Sequence, residues 1–143
     1  MQHRRAALPR DAEVAVRGDW FITGDLARID DEGYLYIVDR KNDMIISGGE
    51  NVYPREVEEV LLAHAAVREC AVVGAPHGYW GEVITAFVAV RAGMRVTPPE
   101  LEAACRAQLA RYKIPKDFRM VDAVPRNSMG KIMRRALRDQ LAA

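Results

Sequence analysis

Two apolar runs in the middle of the chain limit its fold more than any other feature. They read CAVVGA at residues 70–75 and EVITAFVAVR at residues 82–91. Runs of this length, rich in β-branched side chains, are typical of buried strands. The segments around them must therefore supply the elements that cover a sheet.

Three segments have the pattern of helices. The first begins at Pro54, a good first helical residue, and has acids in its opening turns, where the helix dipole favours them: Glu56, Glu58 and Glu59. The second begins at Pro98, after a capping Thr97. The third begins near residue 132; it is predicted to expose Arg134, Arg135 and Arg138 and to bury Ile132, Met133, Ala136, Leu137 and Leu141.

The order of elements predicts an α+β fold: a short N-terminal β appendage, followed by a small domain of mostly antiparallel sheet flanked by helices. Residues 1–13 are expected to form a poorly ordered lead-in. Further strands are expected at residues 34–38, 44–47 and 117–125. We place the boundary between the appendage, residues 1–39, and the domain, residues 40–143.

The composition is that of an ordinary globular domain, since half of the 143 residues are apolar and 29% are charged. No apolar run approaches the length of a membrane helix, so no membrane span is expected. Cys70 and Cys105 lie in apolar segments without metal-binding spacing, and no metal site is predicted. We expect buried, reduced thiols and a cytoplasmic location, although the spacing alone does not distinguish these thiols from a disulfide.

The charge is unevenly distributed, although the net charge is only +1. Residues 111–143 contain nine Lys and Arg against three Asp, whereas residues 1–110 contain 12 basic and 17 acidic side chains. The basic C-terminal part has two interpretations, a solvated helix face or a surface for a polyanionic ligand. No nucleic-acid motif accompanies the charge, so no nucleic-acid partner is predicted.

Three motifs are not explained by packing alone. The first, TGD at residues 23–25, is a weak signal because Gly-Asp pairs are common in turns. The second contains Gly48 and Gly49 between a strand and a helix; one glycine would be enough for such a link, so two suggest that the backbone runs close to something else. The third, PRNSMGK at residues 125–131, lacks P-loop spacing, but its loop can still deliver Lys131 to a phosphate.

Together these motifs resemble the C-terminal end of AMP-forming acyl-CoA synthetases, which belong to the adenylate-forming superfamily. The resemblance covers residues 14–143 and rests on TGD, GYLYIVDRKNDMIISGGENVYPREVE, ARYKIPK and PRNSMGK, in that order. It implies a ligase that converts a carboxylate and ATP to acyl-AMP and pyrophosphate, and then forms acyl-CoA. In this superfamily the small C-terminal domain rotates between the two steps. Residues 1–39 would then include a β remnant of the large N-terminal domain, and residues 40–143 would be the lid.

The resemblance also implies roles for individual residues. Asp25 and Arg40 would bind the ribose of ATP, and Lys131 would be the catalytic residue that binds the α-phosphate and the attacking carboxylate. Gly48 and Gly49 would border the channel for the pantetheine arm of CoA. The rest of the CoA path would be formed by Glu50, Trp80, Tyr112, Lys113 and Lys116.

Simpler interpretations stay open for some of these residues. Arg40 could instead pair with Asp39 or Asp43, Trp80 could belong to the core, and Lys131 could be an ordinary surface lysine. The hinge of the domain rotation would be Asn42. The superfamily usually has Asp or Lys at that position, so the sequence departs from the family pattern there; asparagine nevertheless tolerates unusual backbone angles.

The implied cofactors are ATP and CoA, with Mg²⁺ held by the missing large domain. The implied partners are that domain, in cis or in trans, and a small carboxylic acid whose pocket lies outside this chain. The chain alone would then be inactive. The alternative is a stand-alone, non-catalytic interaction or complementing module that has kept the fold.

Overall fold

The computed structural model of the chain describes residues 16–17 and 19–142. The predicted lead-in at residues 1–13 lies outside the described residues. The chain divides into two compact units, and the division falls between Asn42 and Asp43.

The described residues of the first unit form two short antiparallel ribbons. Its strands are β1 (Val16–Arg17), β2 (Trp20–Phe21), β3 (Asp25–Ile29) and β4 (Leu35–Arg40). β1 pairs with β2 and β3 pairs with β4. In the turn between β3 and β4, the Asp30 carboxylate accepts hydrogen bonds from the backbone N–H groups of Glu32 and Tyr34, at 3.1 and 2.9 Å. A 3₁₀ turn, Lys41–Asp43, follows β4.

The second unit is built on a five-stranded sheet. Its strands are β5 (Ile45–Ser47), β6 (Glu50–Val52), β7 (Val67–His77), β8 (Gly81–Val90) and β9 (Asp117–Met120). The order is β6-β5-β8-β7, and β9 also lies beside β8. β9 pairs parallel with β8, whereas the other pairs in this sheet are antiparallel.

Three helices complete the second unit: α1 (Pro54–Leu62), α2 (Pro98–Gln108) and α3 (Arg134–Ala142). α1 and α2 begin at the predicted prolines. The start of α2 is also capped, because Glu100 Oε2 accepts a hydrogen bond from the Thr97 N–H at 2.7 Å. The predicted α+β fold with a mostly antiparallel sheet is confirmed.

The sheet is covered on both faces, which explains the continuous apolar runs of β7 and β8. Cys70 and Val72 of β7 belong to a core cluster that includes side chains of α1 and α2. Their neighbours Ala71 and Val73 belong to a second cluster that includes Leu137 of α3. Because successive side chains of a strand point to opposite faces, β7 contributes to both clusters.

Both cysteines are free and buried, which confirms the prediction of reduced thiols. Burial raises the pKa of Cys70 to about 12 and that of Cys105 to about 11. Neither thiol is therefore a nucleophile at neutral pH. In the described part of the chain, no helix is long and apolar enough to cross a membrane.

Two predictions about the C-terminal segments need correction. β9 ends at Met120 rather than at residue 125. β9 pairs with β8 from Thr85 to Val88, and Met120 is the last residue of β9 in this pairing. The last helix begins at Arg134 rather than at residue 132, and Met133, predicted to be buried, is 44% exposed.

Candidate active site

Asp25 and Arg40 lie together at one end of the β3–β4 ribbon. They are opposite each other in the antiparallel register, and Arg40 Nε lies 3.4 Å from Asp25 Oδ1. The turn before β3 is held by a hydrogen bond from the Lys41 N–H to the Gly24 C=O at 2.8 Å, and Gly24 has a φ of +77°. The side chains are 26% and 56% exposed, so a carboxylate and a guanidinium are accessible side by side.

This ion pair differs from the alternatives considered for Arg40. Of the two acids proposed as its partner, Asp43 lies 3.9 Å from Arg138 of α3. Asp39 accepts a hydrogen bond from the backbone N–H of Arg40 at 2.7 Å. Asp25 is separated from Arg40 by 15 positions, and only strand pairing brings them together.

The paired glycines form a tight hairpin turn rather than a link from a strand to a helix. Gly48 and Gly49 connect β5 to β6, with Ser47 opposite Glu50. Both have positive φ, +61° and +86°. Two-residue hairpin turns of type I′ need positive φ at both central positions, which glycine adopts at little cost. The prediction that the glycines link a strand directly to a helix is therefore wrong, because the short strand β6 lies between them and α1.

Gly48 is nevertheless a point of close approach. Its N–H donates to the Trp80 C=O at 2.9 Å, and a Cβ at this position would lie 3.0 Å from the Trp80 ring. Lys116 Nζ lies 4.0 Å from the centre of the same ring, a cation–π contact. A Cβ at Gly49, in contrast, would have nothing within 4 Å. The structure thus gathers three residues of the predicted CoA path and leaves open space beside Gly49.

The other cationic candidate, Lys113, is engaged elsewhere. It lies in a 3₁₀ turn, Arg111–Lys113, and its ammonium donates to both carboxylate oxygens of Glu56 in α1, at 2.6 and 2.8 Å. The hydrogen bond to Glu56 raises the pKa of Lys113 above its usual value, despite an opposing effect of burial. Tyr112, beside it, is 45% exposed. Glu50 is exposed at the start of β6.

Lys131 stands at the end of a hairpin loop whose backbone is closely hydrogen-bonded. The Asn127 N–H donates to the Lys131 C=O at 2.9 Å, and Asn127 Oδ1 accepts from the Lys131 N–H at 2.9 Å. Gly130 closes the turn with a φ of +78°. The loop therefore fixes the backbone of Lys131 in two directions while its side chain stays exposed.

The role of Asn127 was missed in the sequence. Its carboxamide oxygen also accepts a hydrogen bond from the Met129 N–H at 3.0 Å. Asparagine is a common turn residue because its side chain bonds to backbone N–H groups just downstream. The NSMG segment before Lys131 carried this signal.

Arg134 was predicted to be solvated, and this prediction is wrong. Its Nη2 donates to Glu58 Oε1 at 2.6 Å, and the two side chains are only 15% and 10% exposed. The same Glu58 oxygen accepts from the Val72 N–H of β7 at 2.8 Å. The Glu58–Arg134 pair thus joins α1, β7 and α3. Arg134 lies three residues after Lys131 in the chain. A charged side chain can be buried when such partners replace water.

Comparison with known proteins identifies the class. Residues 56–131, more than half of the chain, match the family described as the AMP-binding enzyme C-terminal domain, and the chain belongs to this family. The resemblance seen in the sequence motifs is thereby confirmed.

The similar proteins are much longer than this chain. It is 52% identical to the 2-succinylbenzoate–CoA ligase of Geobacillus sp. (strain WCH70) over 130 residues, which are 91% of this chain and 26% of that ligase. ATP-bound MatB from Rhodopseudomonas palustris has a TM-score of 0.85 and 40% identity, over 93% of this chain and 27% of MatB. The o-succinylbenzoate CoA synthetase of Bacillus subtilis, solved with its acyl-adenylate OSB-AMP, has a TM-score of 0.85 and 45% identity, over 92% and 27%. The chain thus spans about a quarter of the proteins it matches.

Proposed function

We propose that the chain is the C-terminal lid domain of an AMP-forming acid–CoA ligase. The observation that carries this proposal is the Lys131 hairpin, which holds an exposed lysine on a fixed backbone in a chain whose relatives include acid–CoA ligases. In the first step a carboxylate oxygen attacks the α-phosphorus of ATP, and pyrophosphate leaves. In the second step the CoA sulfur attacks the acyl carbon, the thiol proton is released, and AMP leaves.

Lys131 would serve the first step. Negative charge increases around the α-phosphorus as the carboxylate attacks, and an ammonium held in place beforehand stabilises that charge. The hydrogen bonds of Asn127 to the Lys131 backbone provide such a fixed starting point. We therefore assign the catalytic role to Lys131.

Asp25 and Arg40 would bind the ribose. A carboxylate accepts hydrogen bonds from paired hydroxyl groups and a guanidinium donates them, so the adjacent pair offers both to one sugar. Asn42 lies in the 3₁₀ turn that follows β4. It would be the hinge about which the domain rotates between the two steps. It lies at the division between the two compact units, and its φ is not positive.

The thioester-forming step would use the face that carries Gly48, Gly49, Trp80 and Lys116. The space beside Gly49 would admit the pantetheine arm, and the Trp80 ring with Lys116 would flank it. Glu50, Tyr112 and Lys113 complete the proposed path; because Lys113 is paired with Glu56, Lys116 is the better candidate for a phosphate of CoA.

The large domain that these steps require would lie outside this chain, in cis or in trans. It would supply the acyl pocket and hold the Mg²⁺ that accompanies ATP. Apolar side chains of the first unit support such a partner, because several are mostly exposed: Trp20 (78%), Phe21 (65%), Ile29 (66%), Leu35 (62%) and Ile37 (60%). The alternative of a non-catalytic module is not favoured, because the matched relatives include ligases.

The direct test uses the complete enzyme that carries this chain at its C-terminus. With a suitable carboxylic acid from a panel, we expect AMP, pyrophosphate and acyl-CoA as products. The 143-residue chain alone should show no carboxylate-dependent ATP–pyrophosphate exchange, because it lacks the acyl pocket. Formation of ADP and phosphate, or exchange by the chain alone, would contradict the proposal.

Gly49→Leu should separate the two half-reactions. The leucine side chain would extend into the space beside the turn, where we place the pantetheine arm. Acyl-AMP formation should persist, while CoA-dependent turnover should fall about 10-fold or more because the thiol is displaced. Pyrophosphate exchange and thioester formation from supplied acyl-AMP measure the two steps separately.

Gly93→Leu is the matched control for backbone strain. Gly93 also has a positive φ, +76°, and open space around its Cβ position, but it lies in the loop between β8 and α2. Both variants should lose similar stability, since leucine is strained at positive φ. If Gly49→Leu leaves CoA-dependent turnover at the Gly93→Leu level, the channel does not pass Gly49.

A further inference from the structure

A carboxylate of β7 is linked to the Lys131 hairpin through Arg126. Arg126 Nη1 donates to the C=O of Gly130, the residue before Lys131, at 2.9 Å. Its Nη2 and Nε lie 3.3 and 3.4 Å from Glu69 Oε2. One guanidinium thus connects the far leg of the hairpin to the central sheet.

Glu69 is itself held in place. Its other oxygen, Oε1, accepts from the Val124 N–H at 3.3 Å and from Arg68 Nη2 at 3.2 Å. Burial raises the pKa of the Glu69 carboxyl, but the hydrogen bonds from Val124, Arg126 and Arg68 outweigh it, so this pKa lies below its usual value. Glu69 is therefore ionised at neutral pH and presents a charged anchor on β7.

The Glu69–Arg126 pair and Asn127 have different effects on the hairpin. In the part of the chain that the structure describes, the hydrogen bonds of Asn127 lie within the hairpin, so it sets the shape of the loop. Arg126 bonds to the loop and to the sheet, so it sets where that shape lies. On this basis, which rests on the catalytic role proposed for Lys131, we propose that Arg126, held by Glu69, is a positioning residue for Lys131.

The energetics make this role separable from folding. Arg126 is 43% exposed and its contacts with Glu69 are long, and exposed pairs of this kind contribute little to stability. Misplacement of a catalytic group by about 1 Å, however, can reduce a rate by ~10²-fold. Loss of Arg126 should therefore affect adenylation far more than the melting temperature.

The first experiment tests whether Arg126 holds the Lys131 hairpin in place. It uses the 143-residue chain and does not depend on enzymatic activity. In Arg126→Leu, the Lys131 and Asn127 N–H groups should exchange with solvent about 3- to 10-fold faster, as expected for the loss of one hydrogen bond. Arg119→Leu is the control, because Arg119 is also an exposed arginine paired with an acid, Asp117 at 2.7 Å, but in β9. Equal exchange in Arg126→Leu and the unaltered chain would overturn the proposal.

The second experiment measures adenylation in the complete enzyme. Arg126→Leu and Glu69→Gln should each slow pyrophosphate exchange about 10-fold and spare thioester formation from supplied acyl-AMP. Arg126→Lys should recover part of the rate, because a lysine can reach one partner but cannot bridge both. In a Lys131→Ala background, Arg126→Leu should cause no further loss, since it acts through that lysine.

The outcomes distinguish this inference from the proposed function. An equal loss from Arg126→Leu in both backgrounds, or no loss in either, overturns the positioning role. If Lys131→Ala itself leaves adenylation intact, the catalytic assignment of Lys131 fails instead. The exchange measurement then still decides whether Arg126 holds the loop.

Discussion

Replacement of Lys131 by alanine in the complete enzyme is expected to slow acyl-AMP formation by ~10²–10³-fold, the usual loss for one preorganised charge contact to a transition state. Thioester formation from supplied acyl-AMP should stay near the rate of the unaltered enzyme, because the lysine is required only while the α-phosphorus is attacked. Single-turnover pyrophosphate release and acyl-CoA formation, measured separately, provide the two rates.

Two further variants make this result specific. Arg135→Ala removes an exposed cation four residues downstream and should leave both rates unchanged. Lys131→Arg keeps the charge but not the compact ammonium, and should restore the rate only partly. Equal losses in both half-reactions, with a lower melting temperature, would make Lys131 a structural residue.

Replacement of Arg134 by methionine is expected to lower the free energy of unfolding by about 3–5 kcal/mol, because it leaves the Glu58 carboxylate buried without its guanidinium. We expect the lower part of that range. In the described part of the chain, Arg134 Nε is buried without a hydrogen-bond partner, which offsets part of what the pair contributes. Urea unfolding of the 143-residue chain measures the change.

Arg135→Met is the matched control for this prediction. Arg135 stands next to Arg134 in the first turn of α3 but is exposed, so its loss should change stability by less than about 0.5 kcal/mol. The double variant Glu58→Gln, Arg134→Met should lose less than the sum of its two single changes, because the residues interact directly. Equal destabilisation by the Arg134 and Arg135 variants would show that the buried Glu58–Arg134 pair contributes no more to stability than an exposed arginine does.

The position of Arg134 supports this interpretation. It is the first residue of α3, where the helix dipole disfavours a cation. Helix formation therefore gives no reason for an arginine here, whereas the carboxylate of Glu58, 76 positions away, does. A local sequence pattern places Arg134 on a polar face and cannot reveal this partner.

Local signals in the sequence were enough to predict the central elements. The apolar runs predicted β7 and β8, and Pro54 and Pro98 marked the starts of α1 and α2, because burial and helix initiation leave a pattern within a few residues. The two free, buried cysteines followed from the same apolar segments. The motif string identified the family, since its residues lie in fixed order along the chain.

The hairpin at Gly48 and Gly49 is not determined by the local sequence pattern alone. A pair of glycines between two short runs is also a hairpin signal, but β6 has only three residues and ends just before a helix. The sequence pattern therefore predicted no separate strand between the glycines and Pro54. Strand pairing, which the sequence does not record, decides that both glycines adopt positive φ.

The sequence by itself determined the class of fold, the family and the identities of the residues proposed for the site. Only the tertiary structure decided what these residues contact: Asp25 meets Arg40, Trp80 meets both Gly48 and Lys116, and Lys113 pairs with Glu56. It also revealed the Glu58–Arg134 and Glu69–Arg126 pairs, whose members lie 76 and 57 positions apart. The physical reason is that strand register and helix packing set these contacts, and both depend on the whole sheet rather than on any short segment of the chain.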